Sequence, residues 1–248
     1  MATTDASHTM EPSETMTGTL YGIGVGPGDP ELMTLKAARL IGGADVIAYP
    51  TLAGGESFAR SIAADLIKHS AREIRIDVPM TTARIPAQDA YDIGAAEIAT
   101  VLSAGQDVIC LCEGDPFFYG SFMYLFARLS GKFTVEIVPG VSSLTACAAR
   151  AAVPLAARNE VMTILPGPLP DSELSDRIDA ADSIVLMKVG RHLGRLRAIL
   201  EQKGLAQNAH YIERATLGTE RVLPLSQAPD PAPYFSMILV TKGADPWL

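Results

Sequence analysis

Apolar positions repeat along this chain with two spacings. Short continuous runs, such as Leu20 to Val25 and Asp107 to Cys112 (Asp-Val-Ile-Cys-Leu-Cys), read as buried strands, and an unbroken apolar run is what a strand covered on both faces requires. Between them lie longer stretches with apolar residues three and four apart, the helical spacing. In order, the pattern predicts a helix over Glu31 to Ile41, a strand over Asp45 to Tyr49 and a turn over Pro50 to Gly55. A helix over Glu56 to Ser70, a strand over Glu73 to Val78, a loop over Met80 to Pro86 and a helix over Gln88 to Ala104 follow. After the strand ending at Cys112 come a helix over Ser121 to Leu129, a strand over Val135 to Val138 and a helix over Leu144 to Ala152.

Past Pro154 the pattern restarts. It predicts strands at Val161 to Leu165, Ser183 to Met187, His210 to Glu213, Arg221 to Pro224 and Tyr234 to Thr241. Helices fall at Asp171 to Asp179 and from about Arg191 to Lys203. Strands and helices alternate in the first half, as parallel sheets demand, while neighbouring strands gather late in the second half and suggest a mixed sheet. The expected division is a disordered tail over 1–17, an α/β domain over 18–150 and a second α/β domain over 151–248.

Three predicted strands end in loops rich in glycine and small polar or acidic residues. They are Gly22 to Pro30, Glu113 to Gly120 and Pro139 to Ser143. In open parallel sheets, ligands sit where the carboxyl ends of strands meet the following loops, so the convergence of three such loops marks a site. The first loop is not a dinucleotide fingerprint. In G-x-G-x-x-G the third glycine falls five positions after the first; here that position is Pro27 counted from Gly22 and Asp29 counted from Gly24. Pro27 lacks a backbone N–H, Asp29 places a carboxylate where a phosphate would sit, and no Gly-Lys-Ser/Thr follows for a P-loop. Glycines at alternate positions instead predict close backbone approach to a ligand that is not a phosphate.

Composition narrows the classes further. The chain has 248 residues, 48% hydrophobic and 19% charged, with a net charge of −8, which is globular and acidic. That balance argues against a nucleic-acid or anionic-membrane surface as the main partner. Met1 to Thr17 carries no Lys or Arg, so neither an export signal nor a mitochondrial presequence is read there, and a cytoplasmic location is expected. Cys110, Cys112 and Cys147 are an odd set that reads as reduced, buried thiols. The four histidines lack ligand spacing, so no metal site is expected.

A ligand needing tight backbone contact, carboxylate acceptors and no phosphate cradle fits S-adenosylmethionine. The residues also carry a resemblance. Gly24-Val25-Gly26-Pro27-Gly28-Asp29-Pro30-Glu31-Leu32-Met33-Thr34 resembles the first signature of the tetrapyrrole (corrin and porphyrin) methylase family. Glu113 to Gly120 resembles its second, Val138 to Ser143 its third and Ile212-Glu213-Arg214-Ala215-Thr216 its late one. They occur in the family's order within Thr19 to Lys242. The resemblance implies two α/β domains, S-adenosylmethionine as co-substrate in the cleft between them, and a homodimer. It implies cofactor contacts at Pro27, Glu113, Gly114, Asp115, Phe118, Ser142, Ser143, Val189 and Ala215. Two positions depart from the family pattern. Glu113 stands where many relatives have a second glycine, and Val189 where the usual residue is Met.

Within the family, Cys112 to Phe122, Tyr211 to Thr216 and Asp45 to Pro50 most resemble the branch that methylates the C-20 meso carbon of precorrin-2 in cobalamin synthesis. The same step on cobalt-factor II stays open, as do a relative acting on a macromolecule and a module that binds nucleotide or tetrapyrrole without catalysis. For the departing meso proton, Glu113, Tyr49 and Tyr119 are the candidate catalytic residues. For the substrate's carboxylates, Arg84, Arg158, Lys188, Arg191, Arg195 and Arg214 are the candidate cations. Phe117, Phe118 and Tyr119 are a candidate apolar wall against the macrocycle.

Overall fold

The computed structural model describes residues 17–52, 54–79 and 84–243, with the side chains of 84–86 left out of account. Except for Thr17, the expected disordered tail lies outside the described residues, as does the start of the loop expected at Met80 to Pro86.

Two five-stranded sheets carry the fold. The first contains β1 (Leu20–Gly24), β2 (Val46–Leu52), β3 (Arg72–Val78), β4 (Val108–Cys112) and β5 (Val135–Val138). Their order is β3-β2-β4-β1-β5, and every pairing is parallel. Helices α1 (Leu35–Gly43) and α2 (Phe58–Ile62) cover one face, where Ala37, Ile41, Ala59 and Ile62 pack on Ile23, Ile47, Ile109 and Leu111. Helices α3 (Arg84–Ser103) and α4 (Phe122–Leu129) cover the other, where Ile98, Leu102, Phe122 and Leu125 pack on Leu20, Val46, Ile74 and Cys110. With both faces covered, β4 is buried at all five positions, which is why it reads as a continuous apolar run.

The second sheet contains β6 (Met162–Pro166), β7 (Ser183–Met187), β8 (Ala209–Glu213), β9 (Arg221–Pro224) and β10 (Ser236–Thr241), in the order β6-β7-β10-β8-β9. Only β6 and β7 pair in parallel, so the sheet is mixed, as the crowding of late strands predicts. Helices α6 (Asp171–Ala180) and α7 (Leu193–Gln202) bury Leu174, Ile178, Leu196 and Leu200 on one face. On the other lies α5 (Ser143–Ala151), whose Leu144, Cys147 and Ala148 meet Val185, Ile212 and Leu239. By packing, the helix expected to close the first domain at residue 150 therefore belongs with the second sheet.

Three sequence expectations move. The helix expected over Glu31 to Ile41 is a single 3-10 turn, Pro30–Leu32, followed by α1. Thr34 breaks it by capping α1, its Oγ1 accepting from the Ala37 N–H at 3.1 Å. Strand β2 runs on through Pro50 to Leu52 rather than turning at Pro50. Beyond Ala48 it has lost its β4 partner and keeps only β3, and a residue without an N–H is tolerated where one flank is free. The helix expected over Glu56 to Ser70 is short, with α2 ending at Ile62 and a 3-10 turn at Ala64–Leu66. No helix among the described residues is long and apolar enough to cross a membrane.

Candidate active site between the sheets

The loops that leave β1, β4 and β5 form one wall of a cleft, and α5 with the ends of β7, β8 and β10 forms the other. Strand order brings the first three together, since β1 lies between β4 and β5. The enclosed part has a volume of about 180 Å³.

The glycines build this wall by backbone-on-backbone contact. Gly114 donates to the Gly26 carbonyl at 2.8 Å, and Gly26 donates back at 3.3 Å. A Cβ on Gly140 would lie 2.0 Å from the Gly114 oxygen, and one on Gly24 would lie 2.5 Å from it. The close approach predicted from these glycines is thus loop against loop, with the Gly26 amide spent inside the protein. Asp115 completes the tie, its Oδ1 accepting from Phe117 N–H at 2.9 Å and its Oδ2 from Gly140 N–H at 3.0 Å. Asp29 faces elsewhere. Its carboxylate accepts from the Glu31 N–H at 2.9 Å, capping the 3-10 turn, and its own N–H donates to Thr216 Oγ1 at 3.0 Å, clasping the first sheet's loop to the second's.

Nine predicted residues meet in the cleft: Pro27, Glu113, Gly114, Asp115, Phe118, Tyr119, Ser142, Ser143 and Ala215. Glu113 has no side-chain hydrogen bond or ion pair with another described residue, and burial pushes its carboxyl above the ordinary range. Ser142 is the N-cap of α5, with extended φ −77° and ψ 153°, yet its hydroxyl makes no capping bond. The first-turn N–H groups, which no helix satisfies internally, are left on the side of Ser142 and Ser143.

Two predicted residues are not brought there. Tyr49 is buried, and its hydroxyl lies 2.5 Å from Glu73 Oε2. Arg60 on α2 holds the same carboxylate through Nε at 2.7 Å and Nη2 at 2.8 Å. This cluster fixes α2 to β3 and engages the Tyr49 hydroxyl outside the cleft lining. Burial first, and then Glu73, push its phenol up, so it remains a donor. Val189 is fully buried behind Met187 and Lys188, with its side chain in the α6–α7 core. The position reads as a cofactor contact in the family pattern, but here the residues of this segment that line the cleft are Met187 and Lys188, just before it.

Of the candidate cations, Lys188 and Arg214 line the cleft. Arg195 is spent on the carbonyls of Gly167 and Leu169 and on Asp171, beside β6. Arg158 and Arg191 lie outside the cleft lining, and the side chain of Arg84 is outside the described residues. Phe118 and Tyr119 line the cleft with rings 5.2 Å apart, but Phe117 turns away and packs on Phe126 of α4 at 5.2 Å.

Several lining residues escaped the sequence reading. Phe58 on α2 meets Phe235 at 4.7 Å, and Tyr234, Ser236 and Met237 enter because β10 runs antiparallel and starts at the cleft. Cys147 lies one turn after Ser143 on α5, a spacing that could have revealed it. Burial pushes its thiol up to about 12, keeping it protonated.

Two α/β layers, one with a parallel and one with a mixed sheet, and a loop-built cleft between them define a class, and the tetrapyrrole (corrin/porphyrin) methylases match residues 19–229. The chain belongs to that family. It is 39% identical over 237 residues to the precorrin-2 C(20)-methyltransferase of a Sinorhizobium species, covering 92% of this chain and 97% of that one. It is 35% identical over 231 residues to the cobalt-precorrin-2 C(20)-methyltransferase of Salmonella typhimurium, covering 92% and 98%. Identity to the cobalamin biosynthesis protein CobIJ of Mycobacterium bovis is 43% over 235 residues, 91% of this chain, but the chain spans only about half of that relative's length, 46%. Among solved structures, a cobalt precorrin-4 methyltransferase, CbiF, superposes with a TM-score of 0.69 at 24% identity, covering 90% of this chain and 94% of that one. A uroporphyrin-III C-methyltransferase from Thermus thermophilus, complexed with S-adenyl homocysteine, superposes at 0.64 with 24% identity, covering 91% and 92%.

Proposed function

We propose that this chain transfers a methyl group from S-adenosylmethionine to the C-20 meso carbon of precorrin-2, giving precorrin-3A in cobalamin biosynthesis. The observation that carries the reading is the convergence of all four family motifs on one cleft, in a chain 39% identical to a precorrin-2 C(20)-methyltransferase over nearly its whole length.

The residues present suit the co-substrate. It brings a methyl group already activated on a sulfonium. Ser142, Ser143 and the open first turn of α5 offer donors to its carboxylate. The lone pairs of Asp115 beyond its two loop bonds can accept from its ribose or amino group. Backbone at Ala215 faces the same space and can read the adenine edge. Small-molecule pockets ordinarily run to roughly 300–1,000 Å³, so the enclosed 180 Å³ would hold part of this ligand, with the macrocycle at the open mouth.

The macrocycle is electron-rich and acts as the nucleophile, so the protein's work is alignment and exclusion of water. Phe118, Tyr119, Met187 and Phe235 supply the apolar walls for this. A proton must leave the methylated carbon. Glu113 is the favoured acceptor, because it lines the cleft with no side-chain hydrogen bond or ion pair to another described residue and burial raises its basicity. The protein is further proposed to work as a homodimer in the cytoplasm.

The test offers methyl-labelled S-adenosylmethionine with metal-free precorrin-2 and with cobalt-factor II, side by side and without oxygen. One label at the meso position of the metal-free compound is the expected result. Label on the cobalt compound alone would move the protein to the step named in its Salmonella relative. Label on neither would reject the substrate.

A further inference from the structure

Among the described residues, six other than glycine adopt a left-handed backbone, and three of them line the cleft: Tyr119 (φ 56°), Lys188 (φ 56°) and Arg214 (φ 51°). Such backbone is unfavourable for a residue with a side chain and persists where surrounding structure enforces it, often at ligand sites. Lys188 and Arg214 occupy equivalent places. Each is the first residue past the end of a strand, β7 for Lys188 and β8 for Arg214.

Sheet order fixes their separation. Strands β7 and β8 flank β10, with Leu186 opposite Ile238 and Glu213 opposite Ser236. Continuing that register sets Lys188 level with Ser236. Arg214 is tied at the level of Phe235, to whose carbonyl its N–H donates at 2.8 Å. Two strand spacings of about 4.8 Å, with an offset of one residue, put the two backbones about 10 Å apart. They are the only Lys or Arg among the described residues lining the cleft, in a protein of net charge −8.

Among the described residues, neither charged group makes a hydrogen bond. Lys188 Nζ rests over the Tyr119 ring, 5.2 Å from its centroid. Arg214 Nη1 stands 3.8 Å from buried Glu213 Oε1, beyond hydrogen-bond length. That carboxylate already takes the Tyr211 hydroxyl at 2.6 Å and has Arg221 at 3.5 Å. Both side chains are exposed and free to exchange these contacts for an anion.

We propose that Lys188 and Arg214 form a two-point fork that holds the macrocycle by two carboxylates on one edge and thereby sets which edge meets the methyl donor. The proposal rests on the reading that a polycarboxylated tetrapyrrole is the substrate. The same arrangement distinguishes it from a general anion site, since the separation of the two backbones that carry the cations is set by strand order.

Asn tolerates left-handed backbone, so Lys188→Asn and Arg214→Asn remove charge without adding strain. The probes are a stable octacarboxylate porphyrin, a tetracationic porphyrin of the same ring size, and S-adenosylmethionine, each titrated against the whole protein. The parent is expected to bind the octacarboxylate and not the tetracation. Each Asn variant should bind the octacarboxylate about 10- to 100-fold more weakly, the range for one charged hydrogen-bonded contact, while its affinity for S-adenosylmethionine stays within about twofold. Lys188→Gly and Arg214→Gly, which take the same backbone, must give the same ranking. Octacarboxylate binding unchanged in the variants, absent in the parent, or lost in proportion with S-adenosylmethionine binding would each overturn the fork. A parent that binds the octacarboxylate, with the expected weakening in the variants, but transfers no methyl to precorrin-2 would reject the reaction and leave the fork standing.

Discussion

At the scale of single residues, the cleft depends on atoms that are missing as much as on those present. Gly140 has no room for a Cβ, which would sit 2.0 Å from the Gly114 carbonyl oxygen. Because backbone and not a flexible side chain is in the way, Gly140→Ala is expected to cost about 3 kcal/mol and to lower the melting temperature by about 6–12 °C. Glu113 is expected to act the opposite way. Its folded-state pKa lies above the unfolded one, so the folded protein binds more protons between those two values and stability falls as pH rises through that interval. Without ligand, Glu113→Gln should therefore melt higher than the parent at pH 8, with the gap closing near pH 4. An unchanged gap across that range would mean the carboxyl is not held in an unfavourable site. Both residues are legible for one reason: Glu113 and Gly140 each follow a predicted strand of a parallel sheet, and the loop at the carboxyl end of such a strand is where a site is expected. Tyr49 and Val189 fall outside the cleft lining because a short motif fixes the order of residues and not the face to which a side chain turns. Burial decided both, through Glu73 for Tyr49 and through the α6–α7 core for Val189.

At the scale of elements, α2 is only five residues long and would not hold by itself. Arg60, Glu73 and Tyr49 fix it to the first sheet, and in doing so place Phe58 against Phe235 across the cleft. The Arg60 guanidinium, ahead of the Tyr49 hydroxyl, holds the Glu73 carboxyl down to about 2. A depressed carboxylate contributes stability above its unfolded value, and that contribution is lost as pH falls toward its folded value. Glu73→Gln should thus destabilise the protein at pH 7 by about 1 kcal/mol, discounted for the partial exposure of the pair. In a melting series the loss should shrink as pH falls from about 4.5 toward 2, and a deficit unchanged at pH 2.5 would assign it to packing alone. Helical spacing in the sequence located the long elements within a few residues, but it ran through Thr34, where a cap interrupts a pattern that periodicity alone sees as continuous. The second wall of the cleft was less visible still. Phe235 and Met237 reach it only because β10 returns antiparallel between β7 and β8, and a pairing partner distant in sequence leaves no local trace.

At the scale of the whole molecule, the two sheets meet through the loops that also make the site. The clasp from Asp29 N–H to Thr216 Oγ1 joins the loop after β1 to the loop after β8. Thr216→Val keeps the shape and removes the acceptor. It should cost about 1 kcal/mol in stability, the ordinary value of one hydrogen bond. Calorimetry should also find a few-fold weaker S-adenosylmethionine binding, because the two walls would no longer be held in register. Unchanged affinity with reduced stability would confine the clasp to folding. Sequence motifs mark the loops of the first wall and, at Ala215, one point of the second, while the rest of the second wall and the spacing of the two come from the three-dimensional pairing of strands.

The most direct measurement is calorimetric titration of S-adenosylmethionine into the parent protein and into Asp115→Ala. Asp115 joins the loops after β4 and β5 through Phe117 and Gly140 and faces the space between the sheets. If that space is the cofactor site, the parent binds one equivalent per chain, and the variant, losing two charge-assisted bonds and the loop geometry they fix, binds about 100-fold more weakly or not at all. Equal binding by both proteins, or none by the parent, would contradict the account.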